Sequence, residues 1–132
     1  MSSNAPRAIV IGHGDFAAGI SSAVAQITGR DDELMAMSNR GMSADAIEEA
    51  VAAAADATGA QVIFTDLPGG SATIAARRVI RRRTALTLVA GTNLAVLLDF
   101  LMSTDADPRA AAVHAAERGR TAIAIIGGGD GR

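Results

Sequence analysis

The sequence contains no cysteine, no lysine, no tryptophan and no tyrosine. Without cysteine there is no disulfide scaffold, no thiolate nucleophile and no Cys-ligated zinc or iron–sulfur site. Without lysine there is no P-loop lysine, no Schiff base and no lysine general base. Aromatic residues are 2% of the chain, so a surface that stacks nucleic-acid bases has nothing to be built from, and no nucleic-acid partner is expected. No apolar run reaches the roughly 20 residues of a spanning helix. The opening residues, Met1 to Pro6, have neither the basic start nor the apolar stretch of a signal peptide. A cytoplasmic protein is the expectation.

What is present is enough for one domain. The chain has 132 residues, 49% of them hydrophobic, and a net charge of −2 from 12 arginines against 14 Asp and Glu. Alanine supplies 30 residues, so the core has to come from Val, Ile, Leu and Met with helices packed closely through Ala. Short apolar runs alternate with helical periodicity. Ala8 to Ile11, ending in Gly12, reads as a buried strand. Phe16 to Ile27 follows as a helix with Gly29 beyond it. Leu34 to Met37 is a weaker strand, and Ala46 to Ala57 is a helix that Ser43 precedes and Thr58-Gly59 ends. Gln61 to Thr65 is the clearest strand. Ser71 suits the N-cap of a helix from Ala72 to about Arg82. A strand at Ala85 to Ala90 leads to a helix at Asn93 to Met102. Asp107-Pro108 opens another helix, expected to stop at Gly119, and Thr121 to Ile126 reads as a last strand. The expected organisation is a flexible N-terminus (1–6), a single domain (7–126) and a Gly-rich tail (127–132).

This alternation predicts an α/β fold: a mainly parallel, doubly wound sheet flanked by helices on both faces. Right-handed crossovers place the carboxyl ends of the strands on one edge, which is where such sheets bind ligands. Three loops should meet there: Gly12-His13-Gly14-Asp15, Asp66 through Ser71, and Gly91-Thr92-Asn93. They bring an imidazole, a carboxylate, Gly-containing turns and two hydroxyls.

His13 sits between glycines at a strand-to-helix turn. It either caps or packs there, or serves as a nucleophile or general base. Asp66 is either a turn former or its partner, and reaches it only if the first and third strands are neighbours, as an order such as 2-1-3-4 allows. An Asp bonded to one ring nitrogen fixes the tautomer and frees the lone pair of the other. Gly69, Gly70 and Ser71 lead into a helix, where backbone N–H groups and the helix dipole favour an anion. Together these residues suggest phosphoryl transfer through a phosphohistidine, with Asp66 supporting the charge on the ring. The scheme needs no metal and no cofactor, and two histidines without cysteine are thin ligation for zinc.

At these residues the chain resembles a known family. Ile9 to Gly14, Phe64 to Ser71 and Gly91 to Leu94 are similar to the IIA component of the mannose-type sugar phosphotransferase system, in order and spacing, over about residues 7 to 126. The resemblance implies a phosphoryl carrier that accepts its group from the phosphocarrier HPr and passes it to a IIB component. IIB in turn phosphorylates a sugar entering through a membrane IIC/IID complex. It places the phosphorylated histidine at His13 and its carboxylate partner at Asp66. It further implies a homodimer in which the last strand, Thr121 to Ile126, crosses to the second subunit. Ala72 and Ala95 stand where many members have proline. A related subunit serving dihydroxyacetone kinase also carries a histidine after its first strand, but usually lacks the Gly-Gly-Ser found here. With no IIB domain attached, a tail that is the natural end would leave IIB on a separate polypeptide.

Two alternatives come from other classes: a non-catalytic anion-binding or regulatory module on the same fold, and a purely structural oligomerisation domain. Other residues read more plainly. His114 falls on a solvated helix face. The basic run from Arg77 to Arg83 suits a helix C-terminus or an acidic partner. Met35, Met37 and Met42 suit adaptable packing or a contact surface rather than a cofactor site. Asp15 favours a helix N-terminus, and the loop Ser38-Asn39-Arg40-Gly41 is placed to close over the site.

Overall fold

A continuous apolar strand has to be covered on both faces, and the architecture follows from that requirement. The computed structural model describes residues 5–129; residues 1–4 of the expected N-terminal segment and 130–132 of the expected tail lie outside them. The elements run β1 (Ala8–Gly12), α1 (Phe16–Thr28), β2 (Leu34–Ser38), α2 (Ala44–Thr58), β3 (Val62–Thr65), α3 (Ser71–Arg82), β4 (Thr87–Ala90), α4 (Leu94–Met102) and α5 (Pro108–Thr121). All four strands are parallel, in the order β2-β1-β3-β4. This is the doubly wound α/β sheet expected from the alternation.

All five residues of β1 are buried. Ala8 and Val10, with Val62 and Phe64 of β3, pack against α1, α4 and α5, whereas Ile9, Ile11 and Ile63 face α2 and α3. Phe64 and Phe100 meet edge to face with ring centroids 5.2 Å apart, so two of the few aromatics anchor the first of these cores. Met35, Met37 and Met42 border the second core, as their adaptability suggests. At the amino ends of the strands Glu33 is buried between Arg7 (3.1 Å) and Arg30 (2.7 Å). The Arg30 hydrogen bond holds the Glu33 carboxyl below its usual range, against the effect of burial.

Local signals worked where one residue has one task. Gly29 and Gly59 end α1 and α2 with positive φ, Ser43 caps α2 through the Ala46 N–H, and Asp107 with Pro108 starts α5. β3 and β4 are each trimmed at their amino ends, to Val62 and Thr87.

Three expectations are corrected. Gly70, not Ser71, occupies the N-cap position of α3; Ser71 is the first helical residue, and its hydroxyl accepts a hydrogen bond from Asn39 Nδ2 instead (3.1 Å). Gly119 does not end α5, which continues to Thr121. Its lack of a side chain serves packing: a Cβ there would lie 2.1 Å from Val96 Cγ2. The Asn93 side chain both caps α4 at Val96 N and donates to the Gly119 carbonyl, locking the α4–α5 crossing. Finally, Thr121–Ile126 forms no strand in this protomer: Thr121 ends α5, and the residues after it pair with no sheet edge. Their β-branched composition favours a strand, but a strand needs a free backbone edge to pair with, and none is reached within the chain. Ile123, Ile125 and Ile126 are left 72%, 97% and 66% exposed.

The α4–α5 contact makes a direct prediction. Gly119→Ala gains helix propensity but overpacks against the stiff Val96, so its urea midpoint falls by the equivalent of about 1–2 kcal/mol. Adding Val96→Ala makes room and recovers part of that loss.

Candidate active site

Because β1 and β3 are neighbours, the residues that follow them arrive side by side. His13 follows β1 and Asp66 follows β3. Asp66 Oδ2 accepts from the His13 backbone N–H at 2.9 Å and lies 2.8 Å from His13 Nδ1. Asp66 Oδ1 accepts from the Leu67 N–H at 3.0 Å, so both carboxylate oxygens are engaged. The approach depends on Gly12, where a Cβ would stand 2.7 Å from Asp66 Cγ. Gly14 turns the chain with φ +52°, and the Phe16 N–H closes the turn on the His13 carbonyl.

Burial raises the pKa of Asp66, but the hydrogen bonds from the His13 backbone and ring, with the charge on that ring, outweigh it and hold the carboxyl below its usual range. An ionised carboxylate is acceptor-only, so the proton of the neutral imidazole sits on Nδ1. Nε2 then carries the free lone pair. The imidazole is 55% exposed while the Asp66 side chain is 10% exposed: a nearly buried acceptor orients an open ring.

The loop after β3 is clamped from beneath. Thr65 Oγ1 and Thr73 Oγ1 are 2.6 Å apart, and the Thr73 hydroxyl donates to the Leu67 carbonyl. This sets Gly69 and Gly70 at the start of α3, with Gly70 so near the ring that a Cβ would be 3.2 Å from His13 Cε1. The first-turn N–H groups of α3 have no intrahelical acceptors, and they begin beside the imidazole. Ser71 stands in that turn, its hydroxyl oriented by Asn39.

Of the five candidate residues, His13 and Asp66 are hydrogen-bonded, and Gly70 lies so close that a Cβ there would be 3.2 Å from His13 Cε1 and 3.8 Å from Asp66 Oδ1, with Ser71 next along the chain. Gly69 sits in the same turn, with open space where a Cβ would be. The third loop contributes support rather than polar groups to the site. The Thr92 hydroxyl turns to the Val89 carbonyl, and the N–H groups of Gly91 and Thr92 bond the Thr65 carbonyl.

In the sequence Asn39 and Arg40 are legible only as part of a loop placed to close over the site. The Asn39 N–H bonds the Gly12 carbonyl at 3.1 Å, and Arg40 Nη2 lies 3.3 Å from Asp15 Oδ1. The usable signal was position: in a 2-1-3-4 sheet the loop after the second strand borders the loop after the first.

The remaining candidates lie elsewhere. His114 is exposed, but it is paired with Asp99 (2.7 Å) across α5 and α4. Arg78 and Arg82 pair with Asp45 and Glu48 of α2, and Arg83 makes a two-pronged contact with Asp56. Among the described residues no three of His, Cys, Asp and Glu cluster to hold a metal ion, and no helix is long and apolar enough to cross a membrane.

Residues 7–117 match the family model described as the PTS system fructose IIA component, EIIA-man, where PTS denotes the phosphotransferase system. The fold is similar to that of the mannose/sorbose-specific IIA subunit of the phosphotransferase system from Enterococcus faecalis, with a TM-score of 0.79 and 23% identity over 93% of this chain and 96% of that one. It is similar also to the PTS IIA protein associated with the fucose utilization operon of Streptococcus pneumoniae, with a TM-score of 0.78 and 20% identity over 95% and 96% of the two chains. The phosphotransferase system component EIIA from Streptococcus agalactiae matches with a TM-score of 0.74 and 20% identity over 90% and 95%. No curated protein sequence matches.

The lowered pKa of Asp66 fixes the sign of a pH effect. The ionised carboxylate contributes stability above its unfolded-state pKa, and that contribution is lost as pH falls through the lower folded-state value. Asp66→Asn is accordingly less stable than wild type at neutral pH, by about 1–2 kcal/mol. The gap closes as pH drops below the ordinary carboxylate range, which denaturant titrations of both proteins across that range measure.

Proposed function

The chain belongs to the family of PTS IIA components of the mannose type, and from that premise we propose that it carries a phosphoryl group on Nε2 of His13. The single observation that supports this most is the His13–Asp66 pair, with its Nδ1-to-carboxylate distance of 2.8 Å on a half-exposed ring. The donor is the phosphohistidine of HPr. The Nε2 lone pair forms the new N–P bond as the donor's P–N bond breaks and its electron pair returns to the donor nitrogen. Nδ1 keeps its proton against Asp66, which offsets the positive charge that develops on the ring. The first-turn N–H groups of α3 and the Ser71 hydroxyl hold the phosphoryl oxygens. A second transfer of the same kind passes the group to a histidine of IIB, which serves a membrane IIC/IID complex on its cytoplasmic side.

The working form in this reading is a homodimer. Its support is twofold: β4 is an open sheet edge, and Ala122–Ile126 carries three exposed isoleucines. Pairing that segment with the β4 edge of a second copy removes both liabilities at once.

Incubation with phosphoenolpyruvate, enzyme I and HPr tests the carrier role. Wild type takes up an acid-labile, base-stable phosphate, His13→Ala takes up none, and Asp66→Asn transfers about a hundredfold more slowly. A folded wild type left unlabelled, beside an acceptor that does label, would overturn the reading. Ile125→Glu converts a dimer to a monomer by sedimentation, and a wild type that is already monomeric at micromolar concentration rules the exchange out.

A further inference from the structure

Transfer to His13 brings a dianion to an edge that already holds the carboxylates of Asp66 and Asp15. The proposed site draws its compensating charge from helix N–H groups, and the chain has no lysine. Among the described residues one cation is ion-paired to the loop that carries His13. Arg40 Nη2 lies 3.3 Å from Asp15 Oδ1 and 3.4 Å from where a Cβ on Gly14 would stand, directly beside the histidine. The other ion-paired arginines are committed elsewhere: Arg7 and Arg30 to Glu33, Arg78 and Arg82 to α2, Arg83 to Asp56, Arg118 to Asp99 and Arg120 to Glu117.

The backbone around Arg40 is pinned, while its side chain is exposed and makes one ion pair. Asn39 is buried, bonded through its N–H to Gly12 and through its amide to Ser71. The Arg40 N–H is held by the Ser38 hydroxyl, and Gly41 turns the chain away with φ +73°. The Arg40 and Asp15 side chains are 68% and 85% exposed, so the pair between them is weak and its exchange costs little. A guanidinium on a pinned backbone, loosely held by a competing carboxylate, is suited to trade that carboxylate for a phosphoryl group.

We propose that Arg40 is a phosphoryl-binding residue: when His13 is phosphorylated, the guanidinium leaves Asp15 and bonds the phosphoryl oxygens on Nε2. The assignment rests on the phosphocarrier reading above and adds to it a side-chain cation, supplied by the loop after β2.

The test uses the full chain with labelled phosphoenolpyruvate, enzyme I and HPr, and reads the single-turnover rate and the equilibrium fraction of phospho-His13. Arg40→Ala lowers both about tenfold, and Arg40→Lys recovers most of the loss. The thermal midpoint of each variant stays close to that of wild type, because an exposed pair contributes little to stability. The discriminating comparison is made in an Asp15→Asn background. If Arg40 bonds the phosphoryl group, Arg40→Ala still costs about tenfold there. If Arg40 merely neutralises Asp15, the loss vanishes in that background and the proposal is overturned. Equal labelling of Arg40→Ala and wild type overturns it as well and leaves the carrier role standing. A wild type that takes no label overturns both.

Discussion

The candidate site depends on β1 lying between β2 and β3. A strand whose five residues are all buried needs hydrogen-bonded neighbours on both sides and helices on both faces. Once those neighbours are β2 and β3, the residues following the three strands are forced together at one edge. His13, Asp66 and Asn39 meet for that reason, although 53 residues separate His13 from Asp66 along the chain. Gly12 carries the constraint to its end. It closes the central strand and leaves the space into which the Asp66 carboxylate fits.

The edge combines a rigid frame with few free groups. The Thr65–Thr73–Leu67 clamp fixes the loop after β3, and the Asn39 contacts with Gly12 and Ser71 fix the loop after β2. Against this frame the half-exposed imidazole presents Nδ1 to a nearly buried carboxylate. Positioning of that kind lowers the cost of orienting a side chain, because the ordering is done when the protein folds. Arg40 is held differently, by a single exposed contact with Asp15.

Charge elsewhere in the molecule is largely settled in local pairs. Glu33 is neutralised at the amino ends of the strands by Arg7 and Arg30, and Arg78 and Arg82 of α3 lean on the carboxylates of α2. Alanine does the corresponding work in packing. With small residues at the crossings, α4 and α5 approach until Val96 fills the space over Gly119, and an ordinary side chain no longer fits. A chain with almost no aromatic residues thus reaches a dense core through close helix contacts rather than large side chains.

The sequence by itself determined the α/β class, nearly every element, the helix ends at Gly29 and Gly59, and the residues His13, Asp66, Gly70 and Ser71 as occupants of one edge. It could do so because these rest on short-range patterns: apolar period, cap chemistry and the direction of parallel crossovers. Four matters were left to tertiary structure. Gly119 looks like a helix stop until Val96 is seen to need its space, and Ser71 looks like a cap until Asn39 claims its hydroxyl. Thr121–Ile126 has the composition of a strand, yet composition supplies no partner edge. The same holds for Arg40, whose nearness to Gly14 spans two loops that no local pattern connects. Periodicity and capping are written in neighbouring residues, whereas contacts between distant loops exist only once the sheet order has brought them together.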